Sequence, residues 1–152
     1  MKVVIVGGVA GGATAATRLR RLDEHAQITV FERSGYISYA NCGLPYYIGG
    51  VIEDKEELTL QTPESIWNRF RIDMKVHHEV TDINVLKKTV TVCNLDTGKV
   101  YEESYDKLIL SPGAKPVMPN LPGIENEKIF TLRTVEDTLK IRAFVEDKKP
   151  KT

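Results

Sequence analysis

Hydrophobic and polar positions along this chain change period several times, and each change marks an element. Residues 3–6 (VVIV) form a continuous apolar run, as expected for a strand buried on both faces. A glycine-rich turn follows. Then an Ala-rich stretch from about Gly12 to Leu22 places Ala15, Ala16, Leu19 and Leu22 on one helical face. Residues 28–32 (ITVFE) return to a strand pattern. Residues 36–50 (YISYANCGLPYYIGG) are small, aromatic and punctuated by glycine, which predicts a loop carrying a short helix. Thr62-Pro63-Glu64 reads as a helix start, with Pro63 in the first helical position and Ile66, Trp67 and Phe70 following. Three β-like runs come next, at 79–85, 89–94 and 99–105, with Thr97-Gly98 as the turn between the last two. Residues 107–110 (KLIL) form another buried strand, ending at Ser111-Pro112-Gly113.

From Ala114 to Asn126 the chain carries Pro116, Pro119, Pro122 and Gly123, the composition of an extended connector. Thr134 is placed to cap a last helix, with Glu136 and Asp137 in its first turn and Ile141, Phe144 and Val145 beyond. The final DKKPKT is polar. The sequence therefore predicts an α/β fold, a parallel sheet with an inserted antiparallel β-meander over 1–113, followed by a connector and helix over 114–152.

Composition changes this picture little. The 152 residues suffice for a sizeable core, and 21 basic residues balance 21 acidic ones. Net charge thus gives no pull toward nucleic acid or an anionic membrane, and any anion site must be local. The first residues imitate a signal peptide only loosely, because glycines interrupt the apolar run and the basic RLRR lies on its wrong side. No run approaches a membrane span, and two cysteines, Cys42 and Cys93, make no disulfide framework, so a cytoplasmic location is expected. His77 and His78 would point to opposite faces of a strand and His25 is isolated, so no metal site is expected.

Strand, glycine turn, helix, strand and then an acid is the order of a dinucleotide site. Such a site needs backbone N–H groups close to a pyrophosphate, aimed by a helix N-terminus. Glu32 stands twenty residues after Gly12, where a carboxylate accepts hydrogen bonds from a ribose. Read from Gly7, the usual G-x-G-x-x-G has Gly7 and Gly12 in its first and third places but Val9 in its second, with Gly8, Ala10 and Gly11 supplying further small positions. The bland alternative is a tight strand-to-helix turn with no ligand. Ser111-Pro112-Gly113, at the carboxyl end of another strand, is placed either to close over the same ligand or simply to leave the sheet.

Cys42 has no second cysteine within a turn of it, so an internal C-x-x-C pair is excluded. It is either inert packing or a thiol that forms mixed disulfides, persulfides or a sulfenic acid with an external partner. A short helix beginning near it would favour the thiolate. Cys93, in the alternating run TVTVCN, reads as strand packing. Thr14, Arg18 and Arg21 recur at i, i+4 and i+7, a face suited to a polyphosphate-bearing ligand or to plain solvation.

VVIVGGVAGGATAATRLRRLDE, SYANCGLPYYIGG, YDKLILSPGAKP and LRTVEDT together resemble the coenzyme A disulfide reductases, including versions fused to a rhodanese domain, and the related NAD(P)H-dependent persulfide reductases and NADH oxidases. The resemblance runs over the whole chain. It implies a Rossmann-like FAD-binding domain within a two-dinucleotide-binding-domain flavoprotein, with Cys42 as the redox-active nucleophile and coenzyme A disulfide or a persulfide as substrate. Gly7, Gly8, Val9, Ala10, Gly11, Gly12, Glu32, Arg33, Asn41, Cys42, Val80, Ser111, Pro112 and Gly113 match the family's FAD contacts. Thr14, Arg18, Arg21, Ser38 and Asn41 match its coenzyme A contacts. Ala10 stands where peroxide-handling relatives carry a histidine, which favours disulfide or persulfide reduction over the alternative, NADH oxidation. Family members continue into an NADH- or NADPH-binding domain and a dimerisation domain, so the expectation is a truncated, N-terminal part of a homodimeric enzyme, inactive by itself or acting only as a nucleotide-binding fragment.

Overall fold

A computed structural model describes residues 1–150. Two compact units are present, one of residues 1–39 and 59–113, the other of residues 40–58 and 114–152. The expected last polar residues Lys151 and Thr152 lie outside the described residues.

The first unit is built on a four-stranded parallel sheet. Its strands are β1 (Lys2–Val6), β2 (Gln27–Phe31), β3 (Asp73–Lys75) and β7 (Lys107–Leu110), in the order β3-β2-β1-β7. β1 alternates its side chains between two cores. Val3 and Ile5 pack with Ile28, Val30, Ile66, Ile72 and Ala16, the last from helix α1 (Ala10–Leu22) and Ile66 from helix α3 (Pro63–Phe70). Val4 turns the other way, with Phe31, against Val90 and Val92. Those two valines belong to a three-stranded antiparallel meander of β4 (His78–Asn84), β5 (Thr89–Asn94) and β6 (Val100–Ser104). The continuous apolar run of β1 follows directly from this burial on both faces. The α/β fold with a parallel sheet and an inserted meander is therefore the one the sequence implies.

Several boundaries differ from the expectation. α1 begins at Ala10 rather than Gly12, so Gly11 and Gly12 are inside its first turn. Leu22 is 68% exposed and does not share the buried face of Ala13 and Ala16, because the last turn of α1 runs past the apolar core. β3 was not expected at all. His77 is no strand residue: it sits at φ 56° in the turn ahead of β4, so the expected opposition of His77 and His78 across a strand does not occur. The helix start at Thr62 holds, with a reciprocal cap between Thr62 and Ser65.

In the second unit, a 3-10 turn (Asn41–Gly43) leads into the short helix α2 (Leu44–Ile48), which packs with α4 (Val135–Lys148). Arg142 of α4 donates from Nη1 to the carbonyls of Tyr47 (2.9 Å) and Ile48 (3.3 Å), satisfying the open end of α2. Thr134 caps α4 as expected, exchanging hydrogen bonds with Asp137. The buried face of α4, however, is Val135 and Thr138, while Ile141 and Phe144 are half-buried and Val145 is 37% exposed. Among the described residues, no helix is long and apolar enough to cross a membrane.

Candidate functional site

The carboxyl ends of β1, β2 and β7 converge on one turn. Gly7 leaves β1 at φ 95°, and a Cβ there would lie 2.0 Å from the carbonyl oxygen of Ser111. A Cβ on Gly12 would lie 1.7 Å from the carbonyl oxygen of Gly7. Both obstacles are backbone, which no rotamer change relieves, so these two positions require glycine. Gly11 is less confined, its added Cβ reaching 3.1 Å from the rotatable Ser111 Oγ. Val9 caps α1 at φ −94° and ψ −120°, so its place in the glycine pattern makes no left-handed demand. The first bond of α1 runs from Ala13 N–H to the Val9 carbonyl (3.2 Å), which leaves the N–H groups of Ala10, Gly11 and Gly12 ahead of the helical ladder. That is an anion cradle in geometry and in dipole.

Glu32 lies just past the end of β2 and is only 8% exposed. Its carboxylate accepts from Gly8 N–H (2.7 Å) and Ser34 N–H (2.9 Å), two bonds that fix both oxygens beside the glycine turn. Ser38, at φ 50°, donates its N–H to the Gly8 carbonyl (3.1 Å) and so joins the same turn. A cleft of about 120 Å³ opens here, lined by Val6, Gly7, Phe31, Glu32, Arg33, His78, Glu79, Val80 and Pro112. Arg33 and Glu79 face one another at 4.0 Å at its exposed rim. The structure thus brings together Gly7, Gly8, Glu32, Arg33, Val80, Ser111 and Pro112, with Gly113 next in the chain at φ 73°. A glycine cradle, a buried carboxylate and a cleft between them fit a dinucleotide.

Sequence reasoning passed over Phe31, His78 and Glu79. The signal was present for His78, which stands two residues before Val80 and so shares its face of β4. Deeper in this cluster, burial pushes the Tyr101 phenol above its usual 10.0.

Thr14, Arg18 and Arg21 are all exposed on α1, so the expected face exists. Arg20, between them, is committed elsewhere: it donates to the carbonyls of Phe70, Asp23, Glu24 and Arg71. Asn41 and Cys42 belong to the second compact unit. Cys42 is exposed within the 3-10 turn, one residue before Gly43 and two before the fully buried Leu44, which anchors the segment. Cys93 is half-buried in β5, as its alternating run predicts. Among the described residues, no group of three or more His, Cys, Asp or Glu side chains is placed to hold a metal.

Residues 1–149 match the family described as pyridine nucleotide-disulphide oxidoreductase. A coenzyme A disulfide reductase of Staphylococcus aureus is 50% identical over 144 residues, covering 95% of this chain and 32% of its own length. The reduced CoADR-RHD of Bacillus anthracis superposes with a TM-score of 0.96 at 55% identity, over 98% of this chain and 27% of that one. An NAD-dependent persulfide reductase of A. fulgidus gives a TM-score of 0.90 at 36% identity, over 97% and 28%. The chain spans about a third of the length of the curated relatives it matches. The chain accordingly shares the fold of these relatives, and it belongs to the pyridine nucleotide-disulphide oxidoreductase family.

Proposed function

We propose that residues 1–113 form the FAD-binding portion of an NAD(P)H-dependent reductase of coenzyme A disulfide or a coenzyme A persulfide, and that residues 114–152 lead toward a pyridine nucleotide domain. One observation carries the FAD assignment: Gly7 and Gly12 have no room for a Cβ, directly beside the buried Glu32 carboxylate. The N–H groups of Ala10, Gly11 and Gly12 bind the pyrophosphate. Glu32 accepts from the ribose hydroxyls, and Val80 and Arg33 border the adenine end. Asn41 and the Ser111–Gly113 turn complete the cofactor contacts in this reading.

Cys42 is the nucleophile. Its thiolate attacks one sulfur of the coenzyme A disulfide, forming a mixed disulfide and releasing one coenzyme A thiolate, with Thr14, Arg18, Arg21, Ser38 and Asn41 holding the coenzyme A. Bound FAD would supply the electron pair, taken from NADH or NADPH, needed to cleave the mixed disulfide, which would return Cys42 to the thiolate and release the second coenzyme A as a thiolate. The names of the relatives support this substrate class, and the exposure of Cys42 allows a large thiol to reach it.

The test uses a polypeptide carrying this chain together with a pyridine nucleotide domain. Anaerobic addition of NADH and coenzyme A disulfide should release coenzyme A thiol in proportion to bound flavin. Cys42→Ser should lower that turnover by roughly a hundredfold or more while leaving the flavin spectrum in place. Full turnover in the serine variant would remove Cys42 from the mechanism.

A further inference from the structure

Among the residues lining the cleft beside Glu32 is His78, to which the nucleotide reading gives no role. Nδ1 lies 2.6 Å from the Val76 carbonyl oxygen, which only accepts, so Nδ1 carries the proton. Nε2 lies 3.1 Å from Nδ2 of Asn94. That amide has a set orientation, because Asn94 Oδ1 accepts from the N–H groups of Asp96 and Thr97, each at 3.0 Å. The NH2 group therefore faces the ring, and Nε2 accepts from it. His78 is held as the neutral Nδ1–H tautomer from two sides.

The backbone of the same residue reaches the nucleotide cleft. His78 N–H donates to the Glu32 carbonyl (3.0 Å), and Glu32 N–H donates to the Lys75 carbonyl (2.9 Å). The imidazole lies 6.3 Å from the Phe31 ring and 6.3 Å, edge-on, from Tyr101. The end of β2, the β3–β4 junction and the turn after β5 thus meet at one side chain.

We propose that His78 is the positioning residue of the nucleotide cleft: as the Nδ1–H tautomer it sets Glu32 and the Glu79–Val80 backbone for the adenosine end of the dinucleotide. This rests on the nucleotide reading given above. A proton on Nε2 opposes donor to donor at Asn94, and turning the Asn94 amide to offer its oxygen sacrifices two backbone bonds. The charged and titratable groups around the ring are Glu32 from the end of β2, the Arg33–Glu79 pair, Lys75 over the Phe31 ring, His77 beside Asp96 at 3.9 Å, and Tyr101 from β6. Among the described residues none of them pairs with Nε2, whose partner is Asn94.

Two measurements on the whole chain test this. Long-range proton–nitrogen NMR reads the ring directly and without nucleotide; the expected result at about pH 8 is neutral His78 protonated on Nδ1, and an Nε2–H or doubly protonated ring overturns the inference. FAD affinity followed by flavin fluorescence at about pH 8 should fall roughly fivefold in Asn94→Asp, which keeps an oxygen for Asp96 and Thr97 but replaces the donor to Nε2 with an acceptor, as one lost hydrogen bond implies. His77→Asn, which removes the neighbouring imidazole at a left-handed position that asparagine tolerates, should leave the affinity unchanged. Unchanged affinity in Asn94→Asp overturns the role of His78 while leaving FAD binding intact. Absence of FAD binding at about pH 8 overturns the nucleotide reading, and the positioning role with it.

Discussion

Gly12 and Gly98 show how differently two glycines in one chain are constrained. An alanine Cβ at Gly12 would meet the Gly7 carbonyl oxygen at 1.7 Å, whereas at Gly98, φ 70°, nothing lies within 4 Å. Gly12→Ala is expected to lower stability by about 1–3 kcal/mol or more through overpacking and to weaken FAD binding, because the moved backbone is the cradle itself. Gly98→Ala should cost only the left-handed conformation, about 1–2 kcal/mol, with FAD affinity unchanged. Urea unfolding and a flavin titration of both variants check this; equal FAD affinities would show that the turn relaxes around the methyl group. The importance of Gly7 and Gly12 was legible from their spacing. The contact of Gly7 with Ser111 was not, since nothing local links two turns so far apart in the chain. His78 was missed for a related reason: weighed as a metal ligand beside His77, it was not weighed as a ring held by Val76 and Asn94.

At the scale of elements, the meander was legible because TVTVCN alternates and its Val90 and Val92 are fully buried. β3 was illegible because three residues with one buried side chain, Met74, carry no period; it exists because β2 offers it a parallel partner. α1 starts earlier than its apolar pattern suggested, since the glycines read as a turn are its first helical residues. The other end of α1 is held by Arg20, whose guanidinium bonds Asp23 and Glu24 beyond its own helix and Phe70 and Arg71 at the end of α3. Arg20→Met preserves most of the buried stem and removes those bonds. It should destabilise the chain by about 2 kcal/mol, with half of the partners exposed to water. A drop in the urea midpoint much smaller than this would mean that water replaces the guanidinium at those carbonyls. Thr134, with its reciprocal Asp137 cap, shows the opposite case, a helix start written locally and read correctly.

For the molecule as a whole, the described residues contain one strand, glycine turn and helix unit with an acid at the next strand's end. Supplied with FAD and NADH, the 152-residue chain is therefore expected to bind flavin yet oxidise NADH no faster than free FAD does. Loss of NADH absorbance above that background would reveal a hydride-donor site within these residues. The close approach of Gly7 to Ser111 also bears on how such chains can be recombined. The two turns occupy each other's space so tightly that they form one inherited unit split across the gene. Chimeras with relatives that take residue 7 from one parent and residue 111 from another put together turns never selected to fit. Crossovers placed before the first or after the second keep the pair intact, and a library built that way should yield more flavin-coloured clones.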